Sequence, residues 1–251
     1  MNIMPLVSII MPYFKKDLYI EKTIESIIDQ SHKELEIIII DDELSEHSNK
    51  VLKKIQKKDL RIKIILNEKK LGAGESRNKG ISFAQGEYVA FCDCDDLWNK
   101  YKLEEQLKFM KNLKIDFSFT SYEIIDKNSN IIGFKEASYD ISFKSLLLSC
   151  DIGLSTVVLK KRFFDNQNYF FPKIKTKEDF VVWLKLLKDG VEMKGLDKNL
   201  TSWRKLNDSL SSSSLQKIFD GYKVYRYYLK FNIIKSLMYL FLLSINYLIK
   251  R

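Results

Sequence analysis

Residues 37–40 are four consecutive isoleucines, running without a polar break from Glu36 into Asp41 and Asp42. A strand with one wet face alternates apolar and polar residues, so an unbroken β-branched run implies a strand covered on both faces. The pattern recurs. LVSIIMP at 6–12 is a short apolar run stopped by proline, RIKIIL at 61–66 reads as a third strand, and 87–93 as a fourth. Between them lie segments of helical period. The first, 17–30, carries Ile20, Ile24, Ile27 and Ile28 at helical spacing, with Asp17 placed as its N-cap; the others are 45–57, 75–85 closed by Gly86, and 100–112. Strand and helix in alternation predict an α/β fold, a mostly parallel sheet flanked by helices. Nine glycines and three prolines in 251 residues argue against an all-β chain of many tight turns. After about residue 115 the alternation blurs. Residues 116–125 and 130–134 read as strands around a turn at 127–130, and 207–214 as a polar loop. The stretch 177–189 reads as a helix with Phe180, Trp183, Leu184 and Leu187 on one face.

In sheets of this kind, ligands bind beyond the carboxyl ends of the strands. Two acidic groups sit there: Asp41 with Asp42, and FCDCDDLW at 91–98, which holds Asp93, Asp95 and Asp96. They should converge on one crevice. Three carboxylates within four positions repel one another unless something positive sits among them. Capping of a strand end explains one aspartate. For a DxDD run matched by a second pair, a hard divalent cation is the sharper explanation, because Mg2+ or Mn2+ takes carboxylate and phosphate oxygens. Cys92 and Cys94 share a strand face, but with Cys150, His32 and His47 the other soft ligands are too few for zinc. An odd cysteine count without paired spacing suits a reducing compartment. Between the acidic groups, LGAGESRNKG at 71–80 is a glycine-containing loop entering a helix. It lacks the Gly-Lys-Ser/Thr of a P-loop and follows the third strand, not the first, so it is no dinucleotide fingerprint. Its helix N-terminal amides and Arg77 could meet an anion; a loop with a surface arginine is the plain alternative.

VSIIMPYFKKDLYIEKTIESIIDQS, then EIIIIDDELSEHS, then LGAGESRNKGISFAQGEYVAFCDCDDLW, in that order and at those spacings, resemble the catalytic domain of glycosyltransferase family 2 over roughly residues 5–112. TKEDFVVWL at 176–184 resembles the acidic pair opening that family's acceptor-side helix. The resemblance implies a GT-A type, Rossmann-like domain over 1–215, its nucleotide-binding part about 5–112 and its acceptor-side part about 113–215, followed by a basic helical tail at 216–251. It also implies roles. Pro12, Asp41, Asp42, Arg77, Asp93 and Asp95 would bind a nucleotide-diphospho-sugar, a UDP-sugar before others, with Asp42 at the base. Asp95 and Asp96 would hold Mn2+ or Mg2+. Asp179 would be the general base, taking the proton of an acceptor hydroxyl as it attacks the anomeric carbon and inverts it. The acceptor implied is a glycan or a lipid-linked hydroxyl in cell-surface polysaccharide or lipopolysaccharide synthesis. The chain also departs from the family pattern. Glu43 and Leu44 stand after the Asp pair, where the family has a small residue and glycine. The Gln-x-x-Arg-Trp of processive members is absent, echoed in reverse by Ser202-Trp203-Arg204, which implies transfer of a single sugar. Trp203 and Arg204 are candidates to close over a diphosphate. A sugar-nucleotidyltransferase is one alternative, but it would want a glycine- and base-rich phosphate loop after the first strand, and residues 12–16 hold no glycine. A non-catalytic nucleotide-sugar-binding subunit is the other; the presence of both Asp95 and Asp179 argues against it.

The chain carries a net charge of +9, and residues 217–251 hold seven cations against Asp220, a net +6. SLMYLFLLSINYLI at 236–249 is apolar for fourteen residues, whereas a spanning helix needs about twenty. Cations flanking an aromatic, apolar helix suit the surface of an anionic bilayer. The expected location is then the cytoplasm, peripheral on the inner face of the cell membrane, and the N-terminus shows no signal-peptide pattern. A helix packed on the domain, or in a homodimer, is the alternative use. Long leucine and isoleucine runs argue against nucleic acid.

Overall fold

The computed structural model describes residues 4–206 and 213–249. The polar loop expected at 207–214 lies largely outside them, as do Lys250 and Arg251. Strands β1 (Val7–Tyr13), β2 (Leu35–Asp41), β3 (Ile62–Leu66) and β4 (Tyr88–Phe91) are parallel and stand in the order β3-β2-β1-β4. Beyond β4 the sheet turns mixed. β8 (Val158–Lys160) runs antiparallel to β4 and to β6 (Phe117–Ile125). β6 is parallel to β9 (Lys194–Arg204), forms a hairpin with β7 (Ile131–Lys135), and β5 (Leu97–Trp98) lies antiparallel to β9 at the edge.

Alternate residues of a strand face opposite ways, and here both faces are covered. Ile10, Ile38, Ile40 and Phe91 pack with Ile81 of α3 (Ala73–Phe83) and with Phe180 and Trp183 of α6 (Glu178–Lys188). Ile9, Met11, Ile37 and Ile39 pack with α1 (Asp17–Ile28), α2 (Glu46–Gln56) and α4 (Lys102–Leu113). Burying each such side chain contributes about 1.5–3 kcal/mol. Cys92 and Cys94 belong to this second layer as buried apolar groups. Close contact under α3 depends on Gly80, where a Cβ would lie 2.6 Å from Ile10 Cγ2 and from Ile40 Cδ1.

The element boundaries carry three corrections. Pro12 ends the apolar run but not the strand, which continues to Tyr13. Lys16, not Asp17, holds the cap position of α1; Asp17 is already helical and accepts from the Tyr13 hydroxyl. α3 starts at Ala73, two residues early, because Gly72 takes φ +87° and turns the chain into the helix.

The C-terminal segment lacks glycine and proline from Tyr222 onward, yet it is not one helix. α7 (Ser214–Lys223) runs into a π-helical stretch, Val224–Tyr228, and the chain reverses at Lys230, φ +58°, before α8 (Ile233–Ile249). Burial explains the break. Val224 and Tyr225 are fully buried in the main core, and the Tyr225 hydroxyl donates to the Leu147 carbonyl (2.6 Å) at the end of α5 (Phe143–Leu148). Leu243 joins the same core, and Asn246 Nδ2 donates to the Leu148 carbonyl (2.9 Å). Among the described residues, no helix is long and apolar enough to cross a membrane.

Candidate active site

Because β1, β2 and β4 are parallel and adjacent, their carboxyl ends share one edge, with Tyr13 in register with Asp41. The acidic groups separated in sequence therefore lie along that same edge. Pro12 contributes through its backbone: its carbonyl accepts from the Cys94 thiol (3.1 Å), which ties the end of β1 to the acidic loop after β4.

The two carboxylates at the end of β2 are buried. Asp41 accepts from the Glu43 and Leu44 amides (2.9 and 3.3 Å) and from Ser48 Oγ (2.7 Å), so it closes the turn into α2. Asp42 accepts from the amides of Leu71 (2.6 Å) and Gly72 (2.8 Å) and from Asn67 Nδ2 (2.9 Å). That carboxylate shapes the glycine loop.

The three aspartates after β4 diverge. Asp93 is the most open, and its Oδ1 accepts from Arg77 Nη2 at 2.7 Å. Asp95 pairs with Lys16 Nζ at 2.9 Å. Asp96 is buried, and both its oxygens are held, Oδ2 by Ser155 Oγ (2.5 Å) and Oδ1 by the Arg204 amide (2.9 Å). Burial, reinforced by Asp93, raises Asp95 above the ordinary aspartate range, against the pull of Lys16. Burial raises Asp96 well above it, with Asp95 and Asp93 adding to the effect. Such a cluster is short of positive charge. No group of three or more Cys, His, Asp or Glu stands ready-gathered around a metal position among the described residues. The donor chemistry nevertheless fits Mn2+ or Mg2+ at Asp95, a desolvated hard carboxylate now compensated by a lysine. Asp96 is placed to brace the loop.

Arg77 is not a surface arginine. It is 3% exposed, and its Nη1 donates to Glu178 Oε1 (2.6 Å) while Nη2 reaches Asp93. It thereby joins the β4 loop to the first turn of α6, where Asp179 sits. Burial raises Asp179, with Arg77 opposing, and burial pushes Glu178 up to about 7 against the same opposition. The turn before α6 is held from the other side. Lys177 takes φ +63°, and Asp220 of α7 accepts from both the amide (3.0 Å) and the hydroxyl (3.1 Å) of Thr176. Arg204 is buried too: it donates to the Asp95 and Asp126 carbonyls (both 2.8 Å) and lies over the Tyr19 ring. It staples the acidic loop to the turn after β6.

Ser155, Lys16, Glu178 and Asp220 were not assigned roles from the sequence. Lys16 and Glu178 lay inside quoted motifs, whereas Ser155 and Asp220 carry no local signal. Arg77→Leu would strand Glu178 and Asp93 beside an apolar group. The expected cost is about 3–5 kcal/mol, read from urea unfolding; a loss within experimental error would show that the bridge has no structural weight.

The sequence profile described as Glycosyl transferase family 2 matches residues 8–178. The chain is 37% identical over 226 residues to the putative teichuronic acid biosynthesis glycosyltransferase TuaG of Bacillus subtilis (strain 168), covering 90% of this chain and 89% of that protein. It is 38% identical over 185 residues to the Escherichia coli UDP-Glc:alpha-D-GlcNAc-diphosphoundecaprenol beta-1,3-glucosyltransferase WfgD, covering 74% and 71%. The fold is that of S. aureus TarS 1-349 in complex with UDP-GlcNAc, with a TM-score of 0.73, 22% identity, and coverage of 94% of this chain and 70% of that one. It is likewise that of the mannosyltransferase PcManGT from Pyrobaculum calidifontis in complex with GDP-Man and Mn2+, with a TM-score of 0.70, 13% identity, and coverage of 97% and 73%.

Proposed function

The chain belongs to glycosyl transferase family 2, and from that premise we propose that it moves one sugar, with inversion, from a nucleotide-diphospho-sugar to a hydroxyl of a lipid-linked or glycan acceptor in building a cell-surface polysaccharide. Teichuronic acid synthesis in one relative's name and a diphosphoundecaprenol acceptor in another's support the substrate class. The observation that carries the reading is the Arg77 bridge, because it ties the carboxylate loop after β4, with Asp93 open to solvent, to the first turn of α6, which holds a separate desolvated carboxylate, Asp179.

The two ends do different work. The donor base lies against the Asp42–Gly72 loop, and the diphosphate against Asp93 and Asp95. Asp95 would hold Mn2+ or Mg2+, which when bound offsets charge on a diphosphate leaving group. Asp96 keeps the loop in place through Ser155 and the Arg204 amide. Asp179 accepts the hydroxyl proton while the acceptor oxygen bonds to the anomeric carbon. The bond from that carbon to the diphosphate breaks on the opposite side, and its electron pair leaves with the diphosphate. A carboxylate raised by burial is a better base than one in water. The protein works peripherally at the inner face of the cell membrane, where a lipid-linked acceptor presents its sugar.

A panel of nucleotide sugars, offered to the full-length protein with Mn2+ and a polyprenyl-diphosphate-linked sugar, tests this. Release of nucleoside diphosphate that needs both the acceptor and the metal is expected. Formation of pyrophosphate from a nucleoside triphosphate and a sugar phosphate, without such release, would sink the reading in favour of a nucleotidyltransferase.

A further inference from the structure

α8 is apolar on both of its faces. Its inner face packs on the body through Leu243 and the buried Ser236. Its outer face carries Ile234, Leu237, Met238, Phe241 and Leu248 at helical spacing, each between 47% and 82% exposed. A helix lying at a water surface normally shows polar residues outward, and contiguous apolar patches of this kind mark interaction sites. Nothing among the described residues covers the stripe.

The surrounding charge selects the occupant. α7, the turn and α8 bring Lys217, Lys223, Arg226, Lys230 and Lys235 to this end of the molecule, and Lys235 Nζ lies 4.1 Å over the Phe231 ring at the start of α8. Within residues 217–249 the one acid, Asp220, is fully buried, bonded to Thr176 and paired with Lys223 Nζ (3.3 Å), so its charge is matched by Lys223 and the segment stays net positive. A second copy docking through the same stripe would bring two net-positive surfaces together, with no exposed acidic counterpart within residues 217–249 on either. A bilayer with anionic headgroups meets both features at once, since it accepts the apolar stripe into the acyl boundary and the cations at its phosphates. Among the described residues α8 is not long and apolar enough to cross one.

We propose that the outer face of α8 is the docking surface for an anionic bilayer, with Leu237 and Phe241 at its centre. It deepens the lipid-linked acceptor reading, on which the choice of a bilayer partly rests.

The test compares the full-length protein with the double variant Leu237→Glu, Phe241→Glu, both exposed sites distant in sequence from the acidic loop. Wild type should co-sediment with vesicles of phosphatidylglycerol and phosphatidylcholine more than with phosphatidylcholine alone, and high salt should weaken but not abolish binding. The variant should lose about 10-fold or more of that partitioning, keep its thermal midpoint, and keep turnover on a short-chain, water-soluble acceptor. Equal partitioning of variant and wild type overturns the proposal. So does a wild-type dimer, seen by sedimentation without lipid, that the variant splits. If vesicle binding depends on α8 but no acceptor is ever glycosylated, the docking surface stands and the acceptor reading falls.

Discussion

Asp179→Asn should lower turnover onto the acceptor by about 10²-fold or more, the range for losing a positioned base, while donor affinity stays close to wild type. The separation follows from placement. Asp179 opens α6, on the far side of Arg77 from the aspartates of the β4 loop. Asparagine keeps the size and the contact to the Phe180 amide but cannot take a proton. Because burial raises the Asp179 carboxyl, the acid limb of wild-type turnover should lie above the ordinary aspartate value, with activity rising as the base ionises, and that limb should vanish in the variant. Steady-state rates across pH, with calorimetry for the donor, check both parts. A variant that loses donor affinity yet turns over each bound donor normally would move Asp179 out of the base role.

Asp95→Asn should abolish the metal-dependent part of donor binding. In the presence of Mn2+, affinity should fall to that of the metal-free protein, a loss of about 10²-fold, at the upper end of what disturbing a metal site costs. The fold should not suffer. Asp95 and Asp96 are both raised in the folded state by burial, Asp95 further by Asp93, and Asp96 further by Asp95 and Asp93. Groups raised on folding favour the native state when protonated, and that contribution is lost as pH climbs from the ordinary aspartate range through the raised values. At neutral pH the cluster therefore works against stability. Removing one charge should leave the thermal midpoint equal or higher, and should flatten the decline of stability with pH above the ordinary aspartate range. Calorimetry with and without Mn2+, alongside melting curves from acid to neutral pH, measures all of this. Unchanged metal dependence would remove Asp95 from the metal role.

Most of the first half of the chain was legible because its signals are local. Unbroken apolar runs such as residues 37–40 and helical periods such as Ile20, Ile24 and Ile27 each lie within a dozen residues. Parallel order then places strand ends together, so the shared edge at the ends of β2 and β4 was readable as well. The second half was not. β8 is three residues long, and β9, KGLDKNLTSWR, mixes polar and apolar residues because it is exposed at its middle and buried beyond it. At the site, residue types were legible and their orientations were not. Asp41 looks like a ligand-facing carboxylate until the turn before α2 and Ser48 in its first turn supply three donors to it. Arg77 looks exposed until Glu178, 101 residues later, arrives beside it. Contacts made at that sequence separation leave no trace in either local segment. The break at Lys230 is similar, since the burial of Tyr225 against α5 forces it and neither glycine nor proline marks it.

The two bonds from Thr176 to Asp220 make the C-terminal helices and the turn before Asp179 one mechanical piece. α8 rests on α7, where Leu240 lies 3.0 Å from the position a Cβ would take on Gly221, and α7 grips the residue three places before the proposed base. The tail is therefore not a detachable mooring line. Cutting the chain ahead of α7 would leave the Thr176 amide without its acceptor and open a hole where Val224 and Tyr225 had been. A protein trimmed there would be slow even with an acceptor dissolved in water. Conversely, a lipid surface docked on α8 as proposed would bear, through Asp220 and Thr176, on the turn before the proposed base.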